Sequence, residues 1–226
     1  MTRRLSPEMV AAYLREIGID YLPVPSRAGR PAPVAKPVTP PAAAETLEDI
    51  RKELLSCRGC PLCAGRRTVV FGVGDPRARL MFVGEGPGEE EDRQGEPFVG
   101  AAGRRLNQWI ARLGLAREDV YIANIVKCRP PGNRAPLPEE AASCMPYLKR
   151  QIRAIRPEAI CTLGAVALQY LLGTNEKITR VRGKWREVEG LPVLPTYHPA
   201  FILRNQTRET EVFVDLDLLA ERLHLK

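Results

Sequence analysis

Four short, largely apolar runs recur along the chain: Leu80 to Val83, Val120 to Val126, Glu158 to Leu163 and Leu191 to Pro195. Segments with helical periodicity lie between them, and this alternation constrains the fold more than any other feature. Each run is too short for a helix and too continuously apolar for a half-exposed strand, so each reads as a strand buried on both faces. Thr46 to Leu55, Gly100 to Leu113, Pro138 to Ile155, Ala165 to Leu172 and Val212 to Leu223 read as helices. Within the second, Leu106, Trp109, Ile110 and Leu113 share a face, and Glu139 and Glu140 occupy the first turn of the third, where a helix favours negative charge. Thr68 to Phe71 reads as one further short strand. Strands separated by helices predict an α/β fold, a parallel sheet covered on both faces. Ligands bind such sheets at the carboxyl ends of the strands. Three segments of unusual composition fall there: Gly84 to Asp92, Asn124 to Arg134, and Thr196 to Arg204.

The 226 residues suffice for one domain of ordinary size, and the first 45 differ from the rest. Residues 1–22 predict a short helix opened by Ser6 and Pro7, with Met9, Val10, Tyr13, Leu14 and Ile17 on one side. Residues 23–45 form a tether, 13 of the 22 positions from Pro23 to Ala44 being Pro or Ala. The helix is expected either to bind an unidentified protein partner or to be a dispensable extension, and residues 46–226 are expected to form the folded domain. No apolar run is long enough to span a bilayer, and Glu8, Arg15 and Glu16 interrupt any signal core after Arg3 and Arg4. A cytoplasmic, nucleoid-associated monomer is the expectation. The formal net charge of +7 favours a polyanionic partner.

Six cysteines in a reducing compartment point away from disulfides. Cys57, Cys60 and Cys63 form C-x-x-C-x-x-C, and Cys128 and Cys144 lie 16 positions apart downstream. Four thiolates close a tetrahedral zinc site or hold a [4Fe-4S] cluster, and spacing alone does not separate the two. The expected ligands are Cys57, Cys60, Cys128 and Cys144, with Cys63 able to replace either of the first two. A redox dithiol at Cys57 and Cys60 is disfavoured because no strand precedes it. Cys161, inside a buried run, reads as a small apolar residue.

The loop after the first long strand reads Gly84-Glu85-Gly86-Pro87-Gly88, followed by Glu89, Glu90, Glu91 and Asp92. It lacks a Gly-Lys-Ser/Thr ending and its acidic run repels phosphates, which excludes a nucleotide hydrolase of that type. Its glycines let backbone amides approach a ligand closely.

Together with Pro97-Phe98-Val99-Gly100, Asn124-Ile125-Val126-Lys127-Cys128-Arg129-Pro130-Pro131 and His198-Pro199-Ala200, this loop resembles the iron-sulfur uracil-DNA glycosylases called family four. The resemblance runs from about Asp49 to the C-terminus. It implies a three-layer α/β/α sandwich with a central, mainly parallel four-stranded sheet, and a structural [4Fe-4S] cluster. It also implies an enzyme that flips deoxyuridine out of DNA, double- or single-stranded, and cuts its N-glycosidic bond.

By that resemblance, Phe98 stacks on the extruded base and Asn124 reads its edge, the amide supplying both a donor and an acceptor. His198 stabilises charge on uracil O2, in either protonation state. Gly86 stands where better-known glycosylases carry a water-orienting aspartate, leaving Glu85 as the nearest carboxylate. Glu91 is expected to fill the space a thymine methyl would need, whereas Glu89, Glu90 and Asp92 read as a solvated acidic edge. Lys127, Arg129 and Arg134, with Arg180, Arg182, Lys184 and Arg186, are expected to flank DNA phosphates, and Arg204 to brace the hole left by the flipped base. Two alternatives remain: a non-catalytic iron-sulfur or zinc DNA-binding module, and a covalent uracil-trapping relative, whose additional basic loop is absent here.

Overall fold

Residues 45–225 are described by the computed structural model, so the N-terminal helix and most of the tether expected from the sequence lie outside the described residues. The buried runs form β2 (Leu80–Gly84), β3 (Tyr121–Asn124), β4 (Ala159–Leu163) and β6 (Leu191–Thr196). Two short strands, β1 (Val73–Gly74) and β5 (Arg186–Val188), complete a six-stranded sheet of order β1-β3-β2-β4-β6-β5. The inner four strands are parallel and both edges are antiparallel. The expected four-stranded parallel sheet is therefore the centre of a mixed one. The strand expected over Thr68 to Phe71 does not form; the chain runs there without strand pairing, and the edge is β1 a few residues later.

The α-helices of the described residues are α1 (Leu47–Leu55), α2 (Glu89–Gln94), α3 (Ala101–Arg112), α4 (Pro138–Ile155), α5 (Gly164–Leu172), α6 (Ile178–Val181), α7 (Pro199–Arg204) and α8 (Glu209–Arg222). Side chains alternate across each strand, so the inner strands feed two separate cores. Leu80, Phe82, Ile122, Cys161 and Leu194 pack against Leu106 and Trp109 of α3 and Leu216 and Leu219 of α8. Met81, Val83, Ala123, Ile160 and Val193 pack against Leu148 and Ile155 of α4 and Ala167 and Leu171 of α5. The result is an α/β/α sandwich. Cys161 is a fully buried member of the first core, as its place in an apolar run requires.

From β2 the chain passes to β3 on one side and later to β4 on the other. This reversal opens a crevice at the carboxyl end of β2, where doubly wound sheets bind ligands. Strand register sets Gly84 beside Asn124, and Leu163 beside Thr196. The three segments singled out above thus leave the sheet at its carboxyl end.

Candidate active site

Gly84 ends β2 and carries no side chain, and two functional groups occupy the space this leaves. A Cβ there would lie 2.5 Å from Asn124 Oδ1 and 2.6 Å from Phe98 Cζ. The ring of Phe98 faces that of His198, with centroids 5.6 Å apart and planes inclined by 33°. His198 approaches in turn over Gly164, the first residue after β4, which adopts φ +90° and whose missing Cβ would sit 2.9 Å from that of His198. Phe98, Asn124 and His198, remote in sequence, therefore line one cavity of about 470 Å³ together with Glu85, Gly86, Glu91, Arg134 and Arg204.

Asn124 is buried, and its Oδ1 accepts no hydrogen bond from the described residues. Leaving a buried acceptor unpaired costs about 1–3 kcal/mol, so this atom is poised for a donor from outside the protein. His198 is the N-cap of α7, where its Nδ1 accepts from the Ala200 backbone N–H at 3.1 Å. Its proton therefore sits on Nε2. Burial, reinforced by the Arg204 charge, pulls its pKa down to about 4, so the ring is neutral at pH 7 and remains a hydrogen-bond donor. The Glu85 carboxylate has no hydrogen-bond partner among the described residues, and burial raises its pKa above the usual carboxylate value.

Glu91 lines the cavity but is also a clasp. Its carboxylate accepts from the backbone N–H groups of Gly88, Val99 and Gly100 at 3.1, 3.1 and 3.2 Å. It thereby ties the glycine-rich loop to the segment carrying Phe98, whose φ of +54° is left-handed and unfavourable for a bulky residue. Gly103 in the first turn of α3 completes the support, since a Cβ there would meet the Phe98 carbonyl oxygen at 1.8 Å. Neither device was legible in the sequence, because the clasp closes on the Val99 and Gly100 N–H groups eight and nine residues from Glu91, and the support depends on a helix turn packed beneath a strained residue.

The cationic residues divide. Arg204 is exposed at the cavity, Arg180 is exposed on α6 and Lys184 on the segment after it. Arg129 donates to Asn133 Oδ1 at 2.8 Å and pairs loosely with Glu89 at 3.4 Å. Arg134 forks onto the buried Glu140 at 2.7 and 2.8 Å. The expectation for Lys127 is corrected: it is fully buried, donates to Gln151 Oε1 at 2.6 Å and cannot reach a phosphate. Arg182 is likewise withdrawn from solvent onto buried Asp215 and onto Glu211, and Arg186 pairs with Glu176. Asp92 is not a solvated edge either. It is 1% exposed and accepts from the backbone N–H groups of Arg67 and Thr68, holding the chain that leads away from the cysteines. Alternation of charge with apolar residues gives no warning of such inward turns.

Cys57, Cys60, Cys63, Cys128 and Cys144 line one small cavity with Leu54 and Arg66. Cys128 and Cys144 are buried and the other three half-buried. Arg66 Nη1 donates to Cys128 Sγ at 3.2 Å, and the Gly59 N–H to Cys57 Sγ at 3.4 Å. Soft sulfur donors with N–H groups aimed at them fit a thiolate-bound metal group. Among the described residues, no three His, Cys, Asp or Glu side chains are set around a point that would hold a single ion. Cys63 faces the same cavity as the expected four, and the sequence spacing alone did not separate them. Only three residues part Cys128 from Asn124, so the cysteine cavity buttresses the segment that carries the unpaired amide.

The family model described as the uracil DNA glycosylase superfamily matches residues 71–217. A type-4 uracil-DNA glycosylase of Thermotoga maritima is 45% identical over 186 residues, 80% of this chain and 96% of that protein. One from Archaeoglobus fulgidus is 49% identical over 174 residues, 73% of this chain and 87% of that protein. One from Sulfurisphaera tokodaii is 50% identical over 170 residues, 71% and 77% of the two chains. With the sheet, the crevice and the convergent cavity in place, these likenesses establish that the chain belongs to the type-4 enzymes of the uracil-DNA glycosylase superfamily.

Proposed function

We propose that the protein releases uracil from DNA by hydrolysing the bond between uracil N1 and deoxyribose C1′, leaving an abasic site. The observation that carries this reading is the unpartnered Asn124 Oδ1, buried in a cavity walled by Phe98 and His198. Uracil offers an N3–H donor beside its O4 acceptor, which complements the two ends of the Asn124 amide; cytosine offers the opposite pattern and leaves both ends opposed. Phe98 supplies the face on which the flipped base stacks.

As the bond lengthens, its electron pair moves into the uracil ring and charge gathers on O2. His198 Nε2–H is the donor for that oxygen. A neutral imidazole held in one tautomer stabilises the anion with no reorganisation of its own proton. Sugar C1′ becomes cation-like, and the Glu85 carboxylate, unpaired in the cavity, opposes that charge and orients the water that adds to C1′. No carboxylate projects from position 86. Glu91 supports specificity by holding the loop and the Phe98 segment at fixed separation. Arg204, Arg180 and Lys184 are exposed cations that would meet DNA phosphates, and Arg204 stands at the cavity where a flipped nucleotide leaves its gap.

The cysteine set suits a [4Fe-4S] cluster held by Cys57, Cys60, Cys128 and Cys144, soft sulfur donors that line one cavity, as the family resemblance implies. When bound, such a cluster supplies a cross-link between the chain after α1, the Asn124 segment and α4, and takes no part in cleavage.

The test is incubation with an oligonucleotide carrying one uracil, followed by hot alkali. Strand breakage at the uracil is expected. An alkali-stable protein–DNA adduct would indicate a covalent trap, and intact DNA retained by the protein a non-catalytic binding module; either would overturn the proposal. Iron and sulfide analysis after anaerobic purification tests the cluster separately.

A further inference from the structure

Lys127 is the one lysine the sequence led us to place on DNA and the fold instead encloses completely. A buried ammonium is normally paired with an anion, because stripping its water is otherwise uncompensated. Lys127 makes a single hydrogen bond, to the neutral Gln151 Oε1 at 2.6 Å, and no carboxylate pairs with it among the described residues. The Gln151 amide is fixed from its other end by donating to the Phe71 carbonyl oxygen at 2.9 Å, with the Tyr121 hydroxyl nearby at 3.4 Å, so Nζ is not free to swing towards solvent. The Lys127 carbonyl is also held, accepting from the Val70 N–H at 2.8 Å. Its backbone neighbour is Cys128, and its ammonium is felt electrostatically by Cys144, two of the cysteines that become anionic on metal binding.

We infer that Lys127 is the buried counter-ion of the thiolate centre, with Arg66, which donates to Cys128 Sγ, as its partly exposed partner. This rests on the reading of Cys57, Cys60, Cys128 and Cys144 as metal ligands. Four thiolates around two ferric and two ferrous ions and four sulfides leave the oxidised group with two negative charges. Arg66 lines their cavity and Lys127 lies behind it, beside Cys128, so two cations oppose these charges. The arrangement explains why a lysine is kept where an apolar side chain would pack at less cost, and why it is separated from Asn124 by only two residues. The charge holds the group that holds the base-reading segment.

The experiment compares the whole protein with Lys127→Gln, which keeps a hydrogen-bond donor for Gln151 but no charge, and with Arg66→Gln, whose side chain is partly exposed and whose replacement leaves the core intact. Metal retention is followed as loss of iron or zinc to a chelator, and the midpoint potential by spectroelectrochemistry. Lys127→Gln is expected to lose its metal about tenfold faster or more, the usual scale for removing an outer partner of a metal ligand. Where iron is bound, its potential should become more negative, since removing a positive charge disfavours adding an electron; Arg66→Gln should shift both in the same sense. Unchanged retention and potential in a folded, loaded Lys127→Gln protein would overturn the inference. If Lys127→Gln does not fold, Arg66→Gln decides alone, and its unchanged retention would equally overturn it. Wild-type protein holding zinc and no iron would overturn the cluster reading only, because retention of zinc still tests the counter-ion; wild-type protein that binds no metal overturns both.

Discussion

Phe98 and His198 face each other with ring centroids 5.6 Å apart, each brought there by a glycine that makes room for it. Gly84 yields space to the Phe98 ring and Gly164 to the Cβ of His198. The walls of the cavity are thus set by absent side chains as much as by present ones.

Adding a methyl group at Gly84 should therefore damage the site directly. Gly84→Ala places a carbon within 2.7 Å of both Asn124 Oδ1 and the Phe98 ring, and neither can retreat, one being at a strand end and the other strained. Uracil release should fall by tenfold or more, with a stability loss of about 1–3 kcal/mol. Single-turnover kinetics and chemical denaturation measure the two effects. Normal turnover in the variant would mean that the pocket is softer than its packing implies.

Asn124 should show the opposite balance. Replacing it by leucine removes an unpaired buried acceptor, so the melting temperature should hold or rise. Uracil release should nonetheless collapse, since a base-edge pair of this kind contributes about 1–3 kcal/mol of discrimination. A variant that is inactive and also strongly destabilised would show that Oδ1 has a structural partner after all.

For His198 the sign of the pH effect follows from its lowered pKa. The unfolded imidazole takes up a proton near its ordinary value of about 6.5, the folded one only near 4. Its contribution to stability is complete above about 6.5 and is lost as pH falls through 4. Activity should not depend on a histidine titration between pH 6 and 8. NMR of labelled His198 measures the value; a folded pKa near 7 would contradict the neutral donor.

Glu91→Gln tests the clasp. The amide retains one acceptor oxygen but turns an N–H towards backbone donors, so amides of Val99 and Gly100 should exchange faster and stacking by Phe98 should weaken. Hydrogen exchange and substrate KM report each in turn. Unaltered exchange would leave Glu91 as cavity lining only.

Salt dependence separates the cations. Lys184→Ala should reduce the slope of log affinity against log salt by about 1, whereas Lys127→Gln should leave it unchanged because Nζ is enclosed. Arg204→Ala should weaken activity more on duplex than on single strands, as expected of a side chain that fills the gap beside a flipped nucleotide. Equal losses on both would remove it from that role.

How much was legible beforehand differs between elements. β2, β4 and β6 were readable because burial on both faces forces uninterrupted apolar runs, and α3 because its buried stripe repeats at helical spacing. Thr68 to Phe71 shared the composition of a strand but not the pairing partner, which composition does not encode. Phe98, Asn124 and His198 stood out through their motifs, yet the left-handed backbone at Phe98 and the clasp of Glu91 did not. Lys127 misled because a cation in a motif looks the same whether it faces solvent or is enclosed against a buried amide.

By itself, then, the sequence determined the alternation of elements, the family and the set of sulfur, amide and imidazole groups, since these follow from local periodicity and residue chemistry. Only the tertiary structure decided which cations point outward, which histidine nitrogen keeps its proton and which acceptor goes unpaired. Those properties depend on desolvation and on partners distant in the chain, and become defined only when the crossing strands bring them together.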